Sequence, residues 1–590
     1  MMIAPLLPDW PAEILAPLPV ALPLVACATM LAVAHYLPPR LFDIVSTLTA
    51  LICAALSALI AHRAGDGTVD YWFGGWTPRN GMALGIGFSI DAASGWIAAF
   101  IAFLYACTFV FAWGFFGRTH GHFHILMMLF LAAMTGFCFT RDLFNLFVWF
   151  EVMSVAAFAL TAYHLEESSI TGALNFTVIN SLAGFLMLGG IGLLYARTET
   201  LDFAGIAAGV AKAGRDPVVL GGFCLVAAAL MIKGATVPFQ FWLADAHAVA
   251  PSPVSVIFSG AMVSLGILGL AKLTAAVFLG SEQIRGAVPT LLVSLGAVSA
   301  VLGGWMALLQ RHLKRLLAFS TISHAGIMLI GIGTLSAGGT GGLLVYVVGH
   351  GLVKGGLFML AGILLATRAS IDEIALRGLG RGIGPAGIAM ASAGLLLAGL
   401  PVGVLDQGAR LLHGAMEHEH PLALTATVVG GALTGAAVLR AAGRIFLGLG
   451  EDPGDEAGAP SEEEREKADR PLWLMLAPCC AMLALDVALP SEWVRDVVQS
   501  AVPAFSRNTL AGPLTDGSSL PAWTSVGGAV ALAGYALFRH RLPRPVTRPL
   551  SATQSQPARL LEAWHSGLIG DYVAWLAVGL AVIAGCLALA

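Results

Sequence analysis

Five ionisable residues lie deep within long apolar stretches of this sequence. Glu151 lies in LFNLFVWFEVMSVAAFAL, Lys233 in LVAAALMIKGATVPFQFWL and His324 in LLAFSTISHAGIMLIGIG. His350 and Lys354 share LVYVVGHGLVKGGLFML, where a spacing of four residues places both on one helix face. A central charge costs ~2.5–3.5 kcal/mol even on the modest insertion scales, so each such group needs a partner, water or a function. Together the five residues predict a polar axis through a membrane.

The residue types of this axis suit proton movement. A carboxyl group beside an amine in a low dielectric can pass between a charged pair and two neutral groups. A buried lysine loses its proton easily and histidine titrates near neutrality, so both can take part in a relay. A single buried histidine is usually a satisfied core residue, and a lysine near a helix end usually extends its ammonium towards the interface. Five such groups in one chain favour a pathway.

The elements that position these residues are membrane helices. The chain has 590 residues, of which 57% are hydrophobic and only 11% charged, with a mean hydropathy of +0.83. Apolar runs of about 20 residues recur along it, each long enough to cross hydrocarbon. A soluble enzyme is therefore excluded, and a strand barrel is disfavoured because the runs do not alternate. We predict an all-α, polytopic membrane protein of about fourteen to sixteen transmembrane helices.

Two prolines are expected to interrupt membrane helices. Pro238 lies in the VPF motif just after Lys233, and Pro401 lies in LLLAGLPVGVLDQG in the second half. Broken helices at corresponding positions indicate an inverted repeat with an ion path between its halves. We therefore predict two inverted five-helix repeats. The expected divisions are N-terminal helices in 1–120, a first repeat in 121–278, a second repeat in 279–450, a charged cytoplasmic linker in 451–470 and a C-terminal transmembrane extension in 471–590.

The loops predict the orientation of the chain. Lys and Arg are richer in the loops that follow an odd number of helices, and the richer set is expected to be cytoplasmic. We therefore predict a multi-pass protein of the cell's inner (plasma) membrane with both termini outside. The sequence shows no ligand set for a metal cage and no flavin, haem or iron–sulfur signature. We predict no metal, no cofactor and no nucleic-acid partner.

Four stretches carry a family resemblance. IKGATVPFQFWLADAHAVAPSPVSVIFSG (232–260) resembles the broken seventh helix of the proton-translocating antiporter-type membrane subunits. That family includes the large membrane subunits of respiratory complex I and the corresponding subunits of the Mrp sodium/proton antiporter and of membrane-bound group 4 hydrogenases. NLFVWFEVMS (145–154), RHLKRLLAFSTISHAGIMLIGIG (311–333) and VVGHGLVKGGLFMLAG (347–362) are similar to three further motifs of the family. The similarity spans roughly residues 80–450.

The resemblance implies a role for each residue of the axis. Glu151 matches the glutamate of the fifth helix, and Lys233 matches its lysine partner on the seventh, so the two are expected to form an intramembrane ion pair. His324 and His350 match the histidines of the tenth and eleventh helices, and Lys354 matches the lysine one turn later. The family implies half-channels for protons, driven by a neighbouring redox module or by exchange with sodium.

Two motifs depart from the family pattern. Ser264 occupies the eighth-helix position where related subunits often place a second buried lysine, and Lys272 follows two turns later. The twelfth-helix motif, usually a double proline followed by a lysine or glutamate, reads LPVGVLDQGARLL, in which Asp406 or Arg410 could substitute. We treat these four residues as accessory positions.

Three functions remain open from the sequence. The first is a proton-translocating, non-catalytic membrane subunit of a quinone oxidoreductase- or hydrogenase-type complex, coupled to a peripheral redox module. The second is a subunit of a multisubunit sodium/proton antiporter without redox coupling. The third is a structural homologue with a vestigial channel. All three imply other membrane subunits and the lipid bilayer as partners. The first two functions need the same Glu/Lys/His axis, so the axis identifies neither the coupling ion nor the partners.

Overall fold

The architecture was determined from a computed structural model of the chain. The structure describes residues 11–36, 38–65, 67–79, 83, 85–116, 121–451, 471–507, 509–510, 512–541 and 568–589. The predicted charged linker, apart from Glu451, lies outside the described residues.

Membrane-crossing helices account for most of the described chain. Thirteen helices among the described residues are long and apolar enough to span a bilayer, and a bent helix pair raises the number to fourteen. The predicted all-α polytopic class is confirmed. The helices are α1 (Ala12–Leu15), α2 (Leu18–Val33), α3 (Pro39–Ala64), α4 (Ala92–Phe116), α5 (Gly121–Phe139), α6 (Leu143–Thr161), α7 (Glu167–Thr198), α8 (Phe203–Ala213), α9 (Pro217–Lys233), α10 (Phe241–Val249), α11 (Ser252–Ile257), α12 (Val263–Leu273), α13 (Glu282–Leu309), α14 (Leu313–Gly333), α15 (Ala337–Arg368), α16 (Gly384–Leu397), α17 (Gly403–Met416), α18 (Pro421–Leu447), α19 (Leu472–Ala488), α20 (Ser491–Ser506), α21 (Leu520–Phe538) and α22 (Ile569–Leu589).

Two helices that carry the predicted axis, α14 and α15, are among the most deeply buried ones. The span made of α11, α12 and two π-helical turns (Phe258–Met262 and Thr274–Phe278) is fully enclosed, as is α14, and α15 is nearly so. By contrast, α2, α3, α21 and α22 bury only about a third of their residues and form the periphery. Lipid-facing positions have to be apolar as well, so both the interior and the peripheral helices are apolar on every side, and packing distinguishes them.

Two membrane helices are interrupted in the middle. α9 ends at Lys233 and α10 begins at Phe241, so Pro238 falls in the gap, because proline has no backbone N–H and cannot continue a helix. α16 ends at Leu397 and α17 begins at Gly403, with Pro401 in that gap. The backbone carbonyls freed at such breaks persist in a membrane only inside protein or beside water.

A β-hairpin and one amphipathic helix lie outside the hydropathy pattern. β1 (Thr68–Trp72) pairs antiparallel with β2 (Gly87–Asp91) between α3 and α4. The membrane face on which this hairpin lies is called the hairpin face. α20 follows α19 at a bend of 80° and packs against α4, α15 and α17. Hydropathy windows miss both elements because neither is a continuous apolar run.

The beginnings of α6 and α14 are held by the same pair of contacts. Asp142 forms an isolated β-bridge with Asp202, and His312 forms one with Asp372. Each member of the second bridge lies 170 residues beyond its counterpart in the first, and the bounds of α15 are those of α7 shifted by the same number. The side chains of Asp142 and His312 each cap the helix that follows, by accepting a hydrogen bond from its first turn.

Candidate functional site

The first polar group of the site is built on the break between α9 and α10. Lys233 is the last residue of α9 and its side chain is completely buried. Gly234 follows, where a Cβ would lie 2.5 Å from Ile267 Cδ1 on α12, and a Cβ on Gly266 of α12 would lie 2.5 Å from the Gly234 nitrogen. The indole of Trp242 donates a hydrogen bond of 2.9 Å to the carbonyl of Ile232, which lies in the last turn of α9. The break therefore places a single ammonium group inside the membrane with its backbone fixed from both sides.

The partner of Lys233 is a hydroxyl group on α6. Lys233 Nζ donates a hydrogen bond of 2.6 Å to Ser154 Oγ, and the ammonium also lies 4.2 Å from the ring centroid of Phe150. Ser154 Oγ itself donates to the Phe150 carbonyl at 2.7 Å, which leaves its lone pairs for the lysine. The structure therefore shows no direct ion pair between Glu151 and Lys233 among the described contacts, and the hydrogen bond of the ammonium goes to the serine hydroxyl.

Glu151 is one turn away from Ser154 on the same helix. Its charge still interacts with that of Lys233, and its Oε1 atom has no hydrogen-bond partner among the described residues. The carboxylate packs on Gly184 of α7, where an added Cβ would lie 2.1 Å from Oε1. The residue is half-buried, unlike Lys233. Glu151 thus lies at the edge of the bundle, and Lys233 lies inside.

Lys354 is the second completely buried lysine of the axis. On α15 its Nζ donates to the carbonyl of Leu317 at 2.6 Å and to the hydroxyl of Ser320, both on α14. The arrangement repeats the chemistry at Lys233, because in both places an ammonium without a carboxylate partner is held by a serine hydroxyl. Such a group is held without a counter-charge, and a desolvated amine in that position is ready to release its proton.

His324 and His350 come together between α14 and α15. Their ring centroids are 5.3 Å apart. His324 Nδ1 is 2.7 Å from the hydroxyl of Tyr346, and His324 Nε2 is 3.2 Å from the hydroxyl of Thr434 on α18. Neither ring nitrogen of His350 has a hydrogen-bond partner among the described residues. The structure therefore brings three of the five predicted residues, His324, His350 and Lys354, into one cluster.

Two buried basic residues of this region were not predicted. His247 on α10 is completely buried, stacks on Phe358 at 4.6 Å and has both ring nitrogens free of partners among the described residues. Lys314, which the sequence pattern assigned to a loop, is also completely buried and donates to the Ala250 carbonyl at 2.5 Å. The signal for His247 was available, since it lies in the same apolar segment as the VPF motif.

The two accessory positions of α12 have different surroundings. Ser264 is buried and its hydroxyl has no hydrogen-bond partner among the described residues. Lys272 forms an ion pair with Asp91 at 3.3 Å and donates to Ser94 Oγ at 3.0 Å, at the hairpin face. Ser264 therefore offers an open hydroxyl in the interior, whereas Lys272 joins α12 to the start of α4.

The accessory residues of α17 form a pair of their own. Asp406 is buried, and its Oδ2 atom lies 3.2 Å from Arg410 Nε, one turn later. Its Oδ1 atom has no hydrogen-bond partner among the described residues. Both residues follow the gap at Pro401, so the break in the second half, like that in the first, is flanked by an ionisable group.

The groups of the axis form two clusters with open polar atoms between them. Glu151, Ser154 and Lys233 make one cluster, and the second is made by Lys354 with the two histidines. Between them α10 and α12 supply buried polar atoms without described partners, in His247 and Ser264. Since buried polar atoms are nearly always hydrogen-bonded, water molecules are expected to fill these positions. Among the described residues, no side-chain hydrogen bond joins the two clusters, so a proton path between them would need such water.

The fold and the site define a polytopic membrane protein of the antiporter type, with broken helices and buried lysines and histidines inside the bundle. Residues 140–434, half of the chain, match the family described as NADH:quinone oxidoreductase/Mrp antiporter, transmembrane. The chain belongs to this family.

Individual relatives agree with this assignment. The chain is 34% identical over 298 residues to NADH-quinone oxidoreductase subunit N of Desulforudis audaxviator, which covers 50% of this chain and 58% of that protein. It is 30% identical over 323 residues to the putative antiporter subunit mnhD2 of Staphylococcus aureus, which covers 54% of this chain and 62% of the relative. The chain thus spans less than two thirds of the length of these curated relatives.

Two solved structures share the fold over most of the chain. A chain of the Mrp complex from Dietzia sp. DQ12-45-1b superposes with a TM-score of 0.73 at 22% identity, covering 84% of this chain and all of the other. A chain of the membrane-bound sulfane sulfur reductase, an archaeal respiratory membrane complex, gives a TM-score of 0.71 at 22% identity, with 84% and 99% covered. Both solved chains belong to multisubunit membrane complexes.

Proposed function

We propose that this protein is the proton-translocating subunit of an energy-converting membrane complex and that protons move along the axis from Glu151 to Lys354. One observation carries the proposal. Lys233 is completely buried, lies at the break of a membrane helix and is held by the hydroxyl of Ser154 beside a carboxylate. An ionisable residue at this depth is costly to insert and is retained where it serves transport.

The position of Glu151 supports an entry from a neighbouring subunit. The carboxylate is half-buried, and apolar side chains around it on α6 and α7 are exposed. Val155 on α6 is 58% exposed and Phe185 on α7 is 70% exposed. A carboxylate at an apolar surface is unfavourable in lipid, so a partner membrane subunit that covers this surface would complete the entry. In this proposal a redox protein of the same complex drives the transport, as the name of the NADH-quinone oxidoreductase relatives indicates for them.

The 170-residue correspondence supports the inverted repeat within this function. The contacts of Asp142 with Asp202 and of His312 with Asp372 mark equivalent starting points in the two halves. Five membrane crossings lie between them when the broken pair of α9 and α10 counts as one, so in this proposal the second block runs opposite to the first. Ion paths of secondary transporters lie at the interface of such repeats. The Gly260 and Gly351 backbones, one from each block, pack directly together next to His350. The same proposal keeps the orientation derived from the loop charges, with both termini outside the plasma membrane.

The proposal is tested on Lys233 in membrane vesicles prepared from cells that contain the whole complex. Lys233→Ala should lower the initial rate of proton uptake at least about tenfold, since a positioned proton carrier contributes ~10²–10⁴ to a transfer rate. The subunit should still insert into the membrane, and proton uptake is expressed per amount of subunit. Lys212→Ala is the matched control, because Lys212 is exposed on α8. Full proton uptake by the Lys233 variant would refute the function.

The driving force separates the proposed function from sodium/proton exchange. Proton uptake that requires a respiratory substrate supports coupling to a redox partner. Movement of protons that instead follows an imposed sodium gradient, with no substrate present, would assign the axis to antiport. If neither condition moves protons in the wild-type vesicles, the axis is vestigial. Lys233→Ala and Lys212→Ala are measured under both conditions, so that the effect of each substitution on proton uptake is known for the driving force that works in the wild type.

A further inference from the structure

A buried aspartate from the C-terminal extension enters the break between α16 and α17. Asp486 lies on α19, outside the segment that matches the family, and its side chain is completely buried. Its Oδ1 atom accepts a hydrogen bond of 3.1 Å from the backbone N–H of Leu405, in the first turn of α17. Its Oδ2 atom has no hydrogen-bond partner among the described residues. One oxygen of this carboxyl group is therefore anchored and the other is open.

The backbone of the break is shaped around this carboxyl group. Gly403 has a φ of +86°, and a Cβ at that position would lie 2.5 Å from Asp486 Oδ2. Only glycine therefore fits between the break and the carboxylate. The first N–H groups of a helix have no acceptors of their own and carry a partial positive charge, so they favour a negative group there. The carboxyl group replaces the missing acceptor from another helix.

A second open carboxyl oxygen lies beside the first. Asp406 directly follows Leu405, and its charge interacts with that of Asp486. Asp406 Oδ1 has no described partner, while Oδ2 pairs with Arg410. Arg410 lines a polar cavity of about 300 Å³ together with Gln407, Glu492, Arg495 and Asp516. This cavity lies where α17 meets α20, on the outer side of the carboxyl pair.

The first turn of α17, which carries Asp406 and contacts Asp486, packs on α15 beside the histidine cluster. The backbone of Gly349, next to His350, packs on Leu405 so closely that a Cβ on Gly349 would lie 2.3 Å from the Leu405 nitrogen. Gly408 packs in the same way on Tyr346, the hydrogen-bond partner of His324. Asp486 and Asp406 thus lie between the two histidines and the polar cavity, although neither α19 nor α20 belongs to the family-matched segment.

We propose that Asp486 and Asp406 form a two-carboxyl relay that connects the histidine cluster to the polar cavity at α20. The inference rests on the proposed function and supplies the end of its path, where the family's lysine or glutamate is missing. In the transfer, an imidazolium N–H bond of the cluster breaks, the proton passes through an intervening water molecule, and an O–H bond forms on Asp486 Oδ2. The proton then passes to Asp406 Oδ1 and to water in the cavity, and each carboxylate returns to its charged form.

Asp486→Asn separates the relay from an anchoring role. The amide oxygen of asparagine still accepts from the Leu405 N–H, so the break keeps its contact, but asparagine cannot carry a proton. Proton uptake should fall at least about tenfold at normal subunit abundance, in line with loss of a positioned proton carrier. Asp372→Asn is the matched control, because Asp372 also accepts from a backbone N–H, that of Ile374, and lies beside α14 away from the relay.

Chemical labelling provides a second measurement that does not depend on the variant's folding. A hydrophobic carbodiimide modifies carboxyl groups that are protonated inside a membrane. In the wild-type complex, the peptide with Asp486 should be labelled, and transport should fall in parallel with the labelling. Wild-type transport by Asp486→Asn would overturn the relay, as would transport that persists after Asp486 is labelled or an Asp486 that never reacts. If Lys233→Ala abolishes uptake while Asp486→Asn does not, only this inference fails, and the proposed function stands.

Discussion

The ammonium of Lys233 on α9 and the hydroxyl of Ser154 on α6 are joined by a hydrogen bond of 2.6 Å. Glu151 lies one turn before Ser154, so the hydroxyl connects the buried amine to the helix that carries the carboxylate. Ser154 also donates to the Phe150 carbonyl, which fixes the direction of its lone pairs. The lysine is thus held in one place by a hydroxyl group, without a direct counter-charge.

Ser154→Ala should slow proton uptake at least about tenfold, because a hydrogen bond to a charged group contributes about 1.5–3 kcal/mol and its loss lets Lys233 move. Subunit abundance should stay within about twofold of wild type, since the change removes a single oxygen atom from a large packed bundle. Ser154→Thr is the control, because it keeps the hydroxyl. Proton uptake and an immunoblot in vesicles measure both effects. Equal rates for the alanine and threonine variants would show that the hydroxyl has no part in transport.

Gly184→Ala should abolish transport while the helix remains intact. The new methyl group would lie 2.1 Å from Glu151 Oε1, so the carboxylate has to leave its position. Alanine itself favours a helix over glycine by about 1 kcal/mol, so α7 loses nothing from the change. Gly192→Ala is the matched control on α7, because nothing lies within 4 Å of a Cβ at that position. Wild-type rates for both variants would mean that the position of Glu151 is unimportant.

Hydropathy and proline positions predicted most of the fold. Runs of apolar residues have to be helices in lipid, so the class followed from composition, and Pro238 located a real break because no helix continues through it without losing a hydrogen bond. Pro401 likewise marks a gap, with α16 and α17 on either side of it. The strands and α20 escaped detection, since an amphipathic helix or a five-residue strand has no long apolar run.

The site was predicted in its residues but not in its contacts. Glu151, Lys233 and the two histidines were recognisable because charge within an apolar run is costly and therefore rare. Their partners were not, because Ser154 is unremarkable in a helix and only packing brings it to Lys233. Lys314 lies in the basic segment RHLKR, which is typical of a loop, yet tertiary packing buries its side chain. Asp486 was also missed, because only tertiary packing brings it to the break between α16 and α17, and nothing in the sequence of its own helix indicates that contact.

His312→Asn should make the subunit less sensitive to acid. Burial, with Lys314 and Arg315 nearby, lowers the pKa of His312 to about 3. In the unfolded chain the ring takes up a proton below its ordinary pKa of about 6.5. The unfolded state therefore binds more protons as the pH falls from about 6.5 towards 3, and the free energy of unfolding falls by up to about 1.4 kcal/mol per pH unit.

Asparagine keeps the cap of α14 without this penalty, because its side-chain oxygen also accepts from the first turn. Thermal unfolding of the purified complex in detergent, at pH 7.5 and pH 5.0, measures the effect. The variant should lose less of its melting temperature on acidification than the wild type, and the two should be similar at pH 7.5. His420→Asn, just before α18, is a control for the general effect of removing a histidine. An unchanged pH response would exclude His312 as the source.

The coupling between Glu151 and Lys233 can be measured although Ser154 separates them. Both residues feel each other's charge, so removing either one changes the protonation that the other prefers. Glu151→Gln leaves Lys233 without the nearby negative charge that favours its ammonium, and transport should collapse. Lys233→Met removes the proton carrier itself and should give the same loss. The double variant should then be no worse in proton uptake than either single variant, because residues that act as one unit are non-additive.

The abundance of the subunit in the membrane also tests the coupling between Glu151 and Lys233. A charge left alone in a low dielectric costs several kcal/mol unless it becomes neutral, so each single variant should accumulate less than the wild type. Removing both charges removes that cost, and the double variant should be recovered to near wild-type abundance. The four forms are compared in the same vesicles, with proton uptake normalised to the amount of subunit. Losses that simply multiply from the single variants to the double would show that the carboxylate and the amine act independently, and the axis would then begin at Lys233.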